Sequence, residues 1–121
     1  MQTLLYSAAG LATLLAFAHS MLGEKYILIR LFRRDDLPKL FGSSDFTTRT
    51  LRFAWHLTSI AWLGFAALLM RAANGDAEEG TLRIIGATFL ISGLATLIAS
   101  RGKHLAWIVM FCIGGIAWML A

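Results

Sequence analysis

The sequence predicts an all-α integral membrane protein, a four-transmembrane-helix bundle of up-down topology, and three observations carry that prediction. First, 58% of the 121 residues are hydrophobic and only 15% are charged, with a mean hydropathy of +0.69. That is more apolar surface than a soluble domain of this size can bury. Second, four windows, residues 3–22, 53–70, 84–100 and 104–121, approach the roughly 20 mostly apolar residues that a helix needs to cross a hydrocarbon core. Third, these runs are continuously apolar rather than alternating, which argues against barrel strands. The spacing leaves one domain, residues 1–121, with almost nothing outside the bilayer.

Helix 1, residues 3–22, carries no acidic or basic side chain until it closes on "HSMLGE", with His19, Ser20 and Glu24. Its i, i+4 ridge Ala8, Ala12, Ala16, Ser20, Glu24 consists of small residues leading into a polar pair, and small ridges are where membrane helices approach closely. Ser20 and Glu24 are therefore expected to face the bundle. "AFA" before His19 has the look of a signal-peptidase site, but no positively charged region precedes it, so the segment is expected to stay. The loop over residues 23–52 contains "EKYILIRLFRR", which places Ile27, Leu28, Leu31 and Phe32 on one arc and Arg30, Arg33 and Arg34 on another. It reads as an amphipathic cytoplasmic segment between helices 1 and 2, set off by a bend near Gly23. The alternative is an unbroken helix from Thr3 to Arg34. Pro38 should end the segment, and Ser44, Asp45 or Thr47 can cap the second helix.

On helix 2, residues 53–70, Arg52, His56 and Ser59 share a face. Helix 3, residues 84–100, carries a hydroxyl ridge of Thr88, Ser92, Thr96 and Ser100, read chiefly as helix–helix adhesion. Helix 4, residues 104–121, opens on His104. The four tryptophans, Trp55, Trp62, Trp107 and Trp118, read as interface anchors and packing groups. Gly114-Gly115 permits close approach within the bundle or in a homo-oligomer. The single cysteine, Cys112, excludes an intramolecular disulfide and any CxxC motif.

Orientation follows from the basic residues. Seven of the eleven (Lys25, Arg30, Arg33, Arg34, Lys39, Arg49, Arg52) lie between helices 1 and 2, and Arg101 and Lys103 lie between helices 3 and 4. Retention of such loops in the cytoplasm puts both termini in the periplasm. The net charge of +4 then describes a collar facing anionic lipid headgroups, and no nucleic-acid partner is needed to explain it.

With that orientation His19, His56 and His104 occupy one level near the cytoplasmic boundary, joined by Glu24. Three imidazoles and a carboxylate are the ligand inventory for Zn, Fe, Mn or Cu. Ser20, Arg52, Ser59 and Ser100 would orient those ligands. A b-type haem held by two of the histidines is a lesser variant. The spacing matches no local metal motif such as HExxH, and whether the chain is an enzyme is left open. The blocks "HSMLGE", "RFAWHLTSIAWLGF" and "RGKHLAW" resemble those of uncharacterised small four-helix inner-membrane proteins of Gram-negative bacteria. The resemblance implies a bacterial inner-membrane location and brings no activity. The expected function is a membrane-embedded metal site for redox, hydrolytic or metal-handling work. The competing classes are a small oligomeric transporter or proton-translocating subunit, and an accessory subunit whose polar cluster is structural.

Overall fold

A computed structural model describes residues 1–99 and 101–121, the side chains of Glu79 and Ala99 excepted. The described chain is helical: α1 (Gln2–Leu31), α2 (Asp45–Ala73), α3 (Glu79–Ala99) and α4 (Ala106–Met119). Three helices, α1, α2 and the Gly80–Ile98 part of α3, are long and apolar enough to cross a membrane, while α4 has 14 residues. At 1.5 Å per residue α4 spans about 21 Å, short of the roughly 30 Å of a hydrocarbon core.

The structure corrects two expected boundaries around the first loop. No separate amphipathic segment follows a bend at Gly23. Helix continues through that residue, passes through a π-helical turn at Glu24–Leu28 and ends at Leu31. The unbroken-helix alternative is the nearer one, though it stops three residues short of Arg34: Arg33 and Arg34 lie just beyond the end of α1, and Arg30 lies in its last turn. There the Tyr26 ring receives the ammonium of Lys25 at 5.2 Å and the guanidinium of Arg30 at 5.8 Å. Helix α2 also begins eight residues earlier than the apolar window, at Asp45, because hydropathy marks only the apolar part of a helix and polar residues continue it.

Between α1 and α2 the chain turns through residues 32–44 with its own hydrogen bonds. Arg34 clasps Asp36 by two bonds of 2.8 and 2.6 Å, in full solvent. This contact holds the Asp36 carboxyl below its usual range and lifts Arg34. What stability the clasp adds is present above the ordinary carboxylate pKa and lost as pH falls through the depressed one. Such exposed pairs contribute little. Leu40 and Ser43 bridge across Phe41 and Gly42, both at positive φ (56° and 88°), the backbone of a tight two-residue turn. The expected caps are used differently: Ser43 Oγ accepts the Asp45 N–H, and Thr47 donates to the Pro38 carbonyl.

Two antiparallel pairs form the bundle. In the first, α1 lies against α2: Tyr6 near its start donates to Asn74 just beyond the far end of α2, while Ser20 meets Ser59. Ala8, Ala12 and Ala16 are almost fully buried in this seam. In the second, α3 meets α4 through glycines. A Cβ on Gly114 would come within 2.9 Å of the Leu90 backbone nitrogen and 3.0 Å of the Gly86 carbonyl. Two members of the expected hydroxyl ridge find partners within this pair: Thr88 donates to the Ile84 carbonyl, and Thr96 to Met110 Sδ at 3.7 Å. Leu5, Leu69, Ile85, Phe89 and Ile113 join both pairs in one core.

Helix α4 starts at Ala106 rather than His104 because the chain first reverses through Arg101 and Gly102, at φ 51° and 77°. The Gly102 N–H caps the Leu97 carbonyl at 2.9 Å. Outward faces remain apolar, with Leu14, Phe17, Ile60, Ile84, Ile91 and Ile98 more than half exposed, a belt that water would not tolerate on a monomer.

Because backbone lies on both sides of the α3–α4 contact, Gly114→Ala should lower stability by about 1–3 kcal/mol through overpacking. Denaturant unfolding in detergent measures it, and an unchanged midpoint would show that the helices separate freely.

Candidate functional site

The seam between α1 and α2 turns polar one helical turn beyond the alanines. Ser20 and Glu24, four residues apart on α1, both reach His56 of α2. The Ser20 hydroxyl lies 2.8 Å from His56 Nδ1 and 2.7 Å from Ser59 Oγ, and Glu24 Oε2 lies 3.2 Å from His56 Nε2. Arg52, one turn before His56, closes the chain from the solvent side. Its Nη2 donates to Glu24 Oε1 at 2.9 Å and its Nε to Oε2 at 3.3 Å. The guanidinium also rests 4.9 Å from the Phe32 ring centre, which fixes its long side chain. Arg52, Glu24, His56, Ser20 and Ser59 thus form one hydrogen-bonded line running from an exposed end to a buried one. Ser59 is only 6% exposed.

A serine hydroxyl has one proton, so the direction of this line depends on the charge of His56. With a neutral ring, Nε2–H donates to the Glu24 carboxylate and Nδ1 accepts from Ser20, which then accepts from Ser59. With an imidazolium, both ring nitrogens donate, and Ser20 must turn its proton toward Ser59. A proton arriving at His56 therefore reverses two hydroxyls without moving a heavy atom. Arg52 balances the Glu24 charge in either state.

His19 takes another path. Its ring stacks on Trp55, centroids 4.6 Å apart and planes 5° from parallel, and meets Trp62 edge-on at 5.0 Å. The two residues also exchange main-chain bonds: Trp55 Nε1 donates to the His19 carbonyl at 3.0 Å, and His19 Nε2 donates to the Trp55 carbonyl at 3.2 Å. Gly23 makes this possible, because a Cβ there would overlap Nε1, Cε2 and Cζ2 of the indole. The glycine that suggested a bend is instead the bed of Trp55.

The structure brings Ser20, Glu24, Arg52, His56 and Ser59 together and leaves His19 and His104 outside that line. His104 and His19 both border an apolar cavity of about 370 Å³, and His104 Nδ1 accepts the Ala106 N–H at 3.4 Å. Ser100 lies outside the described residues. Among the described residues no three His, Cys, Asp or Glu side chains converge closely enough to hold a metal ion. Trp55 and Trp62, read from the sequence as anchors and packing groups, are the contacts of His19. Their spacing of seven, two helical turns on one face, was the available signal.

No known protein-family model matches the chain, and neither the curated proteins nor the solved structures contain a match.

Gly23→Ala should cost about 1–3 kcal/mol as an overpacking change and expel the indole. In a Trp55→Leu background the same substitution should cost markedly less. A double-mutant cycle on detergent unfolding reads the coupling, and additive costs would separate Gly23 from Trp55.

Proposed function

We propose that this chain is a polytopic bacterial inner-membrane protein that relays protons through the Glu24–His56 pair, as a small transporter or a proton-translocating subunit. The observation that carries this reading is the unbroken line Arg52–Glu24–His56–Ser20–Ser59, whose hydroxyls can reverse with the charge of one histidine. Ionisable groups at membrane depth are costly and usually serve a path for ions or protons. The line opens at the basic end of the seam and stops at Ser59, so onward transfer would use water or a second copy of the chain. Four crossings in up-down order, both termini in the periplasm and the loop over residues 32–44 on anionic headgroups belong to the same proposal. The antiparallel pairing supports that order. The short α4 would cross only where its flanking residues or a thinned bilayer complete the span.

In vesicles holding a pH-sensitive dye, a potassium diffusion potential should drive acidification at least tenfold faster with the protein than without it. Glu24→Gln and His56→Phe should return the rate to background while circular dichroism stays helical. Equal rates for wild type and both variants would remove the relay.

A transition-metal reading is the second, favoured by the 3.2 Å approach of Glu24 and His56, two ligands already side by side. Zn, Fe, Mn or Cu would need further ligands from water, His19 or His104 after rearrangement, or another copy. Elemental analysis of protein purified without added metal should then find stoichiometric metal that His56→Ala loses. Metal-free protein would end this reading, and the absorption spectrum of the same sample answers for haem b.

A further inference from the structure

Beside the polar line, and separate from it, the cavity bordered by His19 has a chemistry of its own. It is walled by Leu15, Ala18, Leu22, Tyr26 and Ile27 of α1, by Trp55 and Trp62 of α2, and by His104 to Ala106 and Val109 at the start of α4. Its volume of about 370 Å³ lies at the small end of the roughly 300–1,000 Å³ typical of ligand pockets, enough for one or two rings. No Lys, Arg, Asp or Glu lines it, so the wall offers a phosphate no lysine or arginine. Leu22, Tyr26, Ile27 and Leu105 on its rim are 46–67% exposed. The mouth therefore opens over apolar surface, level with the basic residues Lys25 and Lys103 that flank it in sequence.

Inside, two of the polar side chains spend their N–H groups on backbone carbonyls. Trp55 spends its N–H on the His19 carbonyl. His19 spends Nε2–H on the Trp55 carbonyl, which leaves Nδ1 as the accepting nitrogen of the neutral ring. An acceptor held in place by an indole stack, in an apolar ring-lined pocket, fits a ligand that brings a hydroxyl proton and an aromatic face.

We infer that this pocket binds the ring of a lipid-soluble quinol, its hydroxyl donating to His19 Nδ1 and its alkyl tail leaving over Leu22 and Ile27 into the bilayer. An acyl chain would fill the volume but leave the imidazole acceptor without a donor, at a cost in apolar surroundings. A phospholipid headgroup would find no lysine or arginine in the wall. Binding alone is inferred, with no electron transfer, and it does not rest on the proton relay.

The test uses the full chain in phosphatidylcholine nanodiscs, titrated with a decyl-chain benzoquinol kept reduced, the retained quinol being quantified by chromatography. Saturable binding of one quinol per chain is expected. Affinity should fall at least tenfold in Ala18→Trp, which fills the pocket, and in His19→Phe, which keeps a ring against Trp55 but removes the acceptor. Circular dichroism checks that both variants stay helical. Absence of saturable binding, equal retention of decylbenzene, or undiminished quinol binding in both variants would overturn the inference.

Discussion

The contact of the Trp55 indole with Gly23 is the constraint on which the rest of the site depends. Only the absence of a side chain at residue 23 lets the ring lie on the backbone of α1 and donate to the His19 carbonyl. That bond fixes the register of α1 against α2. With it fixed, Ser20 and Glu24 fall opposite His56, Arg52 falls opposite Glu24, and His19 lands between two tryptophans. A slip of one turn, about 5.4 Å, would undo every one of these pairings at once. The π-helical turn that begins at Glu24, immediately past this contact, is consistent with a side chain pressing on the ladder of α1.

The two halves of the site answer the low dielectric of the seam in different ways. Glu24 and His56 sit about one-third exposed, and each carries enough hydrogen bonds to stay polar there: Glu24 from Arg52, His56 from Ser20 and Glu24. His19 is held by geometry instead, with its rim bonded to a backbone carbonyl and its face covered by indole. The first arrangement is a chain of charged and hydroxyl groups bonded to one another, whereas the second sets an imidazole at the wall of an apolar cavity. One helix supplies both, and its i, i+4 ridge of buried alanines, Ala8, Ala12 and Ala16, leads to Ser20, whose short side chain touches Ser59 of α2.

Much of this was legible beforehand, and what was not has a definite cause. Continuous apolar runs marked three long helices, and i, i+4 spacing placed Ser20 with Glu24 and Arg52 with His56, since helical periodicity is a local property. The bend at Gly23 was misread because glycine's two uses, flexibility and close approach, look alike until the partner is known. Helix α4 is shorter than its apolar window because hydropathy does not register that His104 and Leu105 still belong to the turn, with the His104 ring accepting the Ala106 N–H. The level shared by three histidines is visible in the sequence, but the rotation of each helix against its neighbours is not, and that rotation decides whether imidazoles converge or stack apart.

By itself, then, the sequence determined the elements: a chain this apolar builds helices, three of them long enough to cross a membrane, and small residues on one ridge mark where they meet. The tertiary structure alone decided which polar groups share a site. Side-chain pairing across a seam is set by the register of two helices, and that register was fixed by one indole on one glycine, 32 residues apart in the chain.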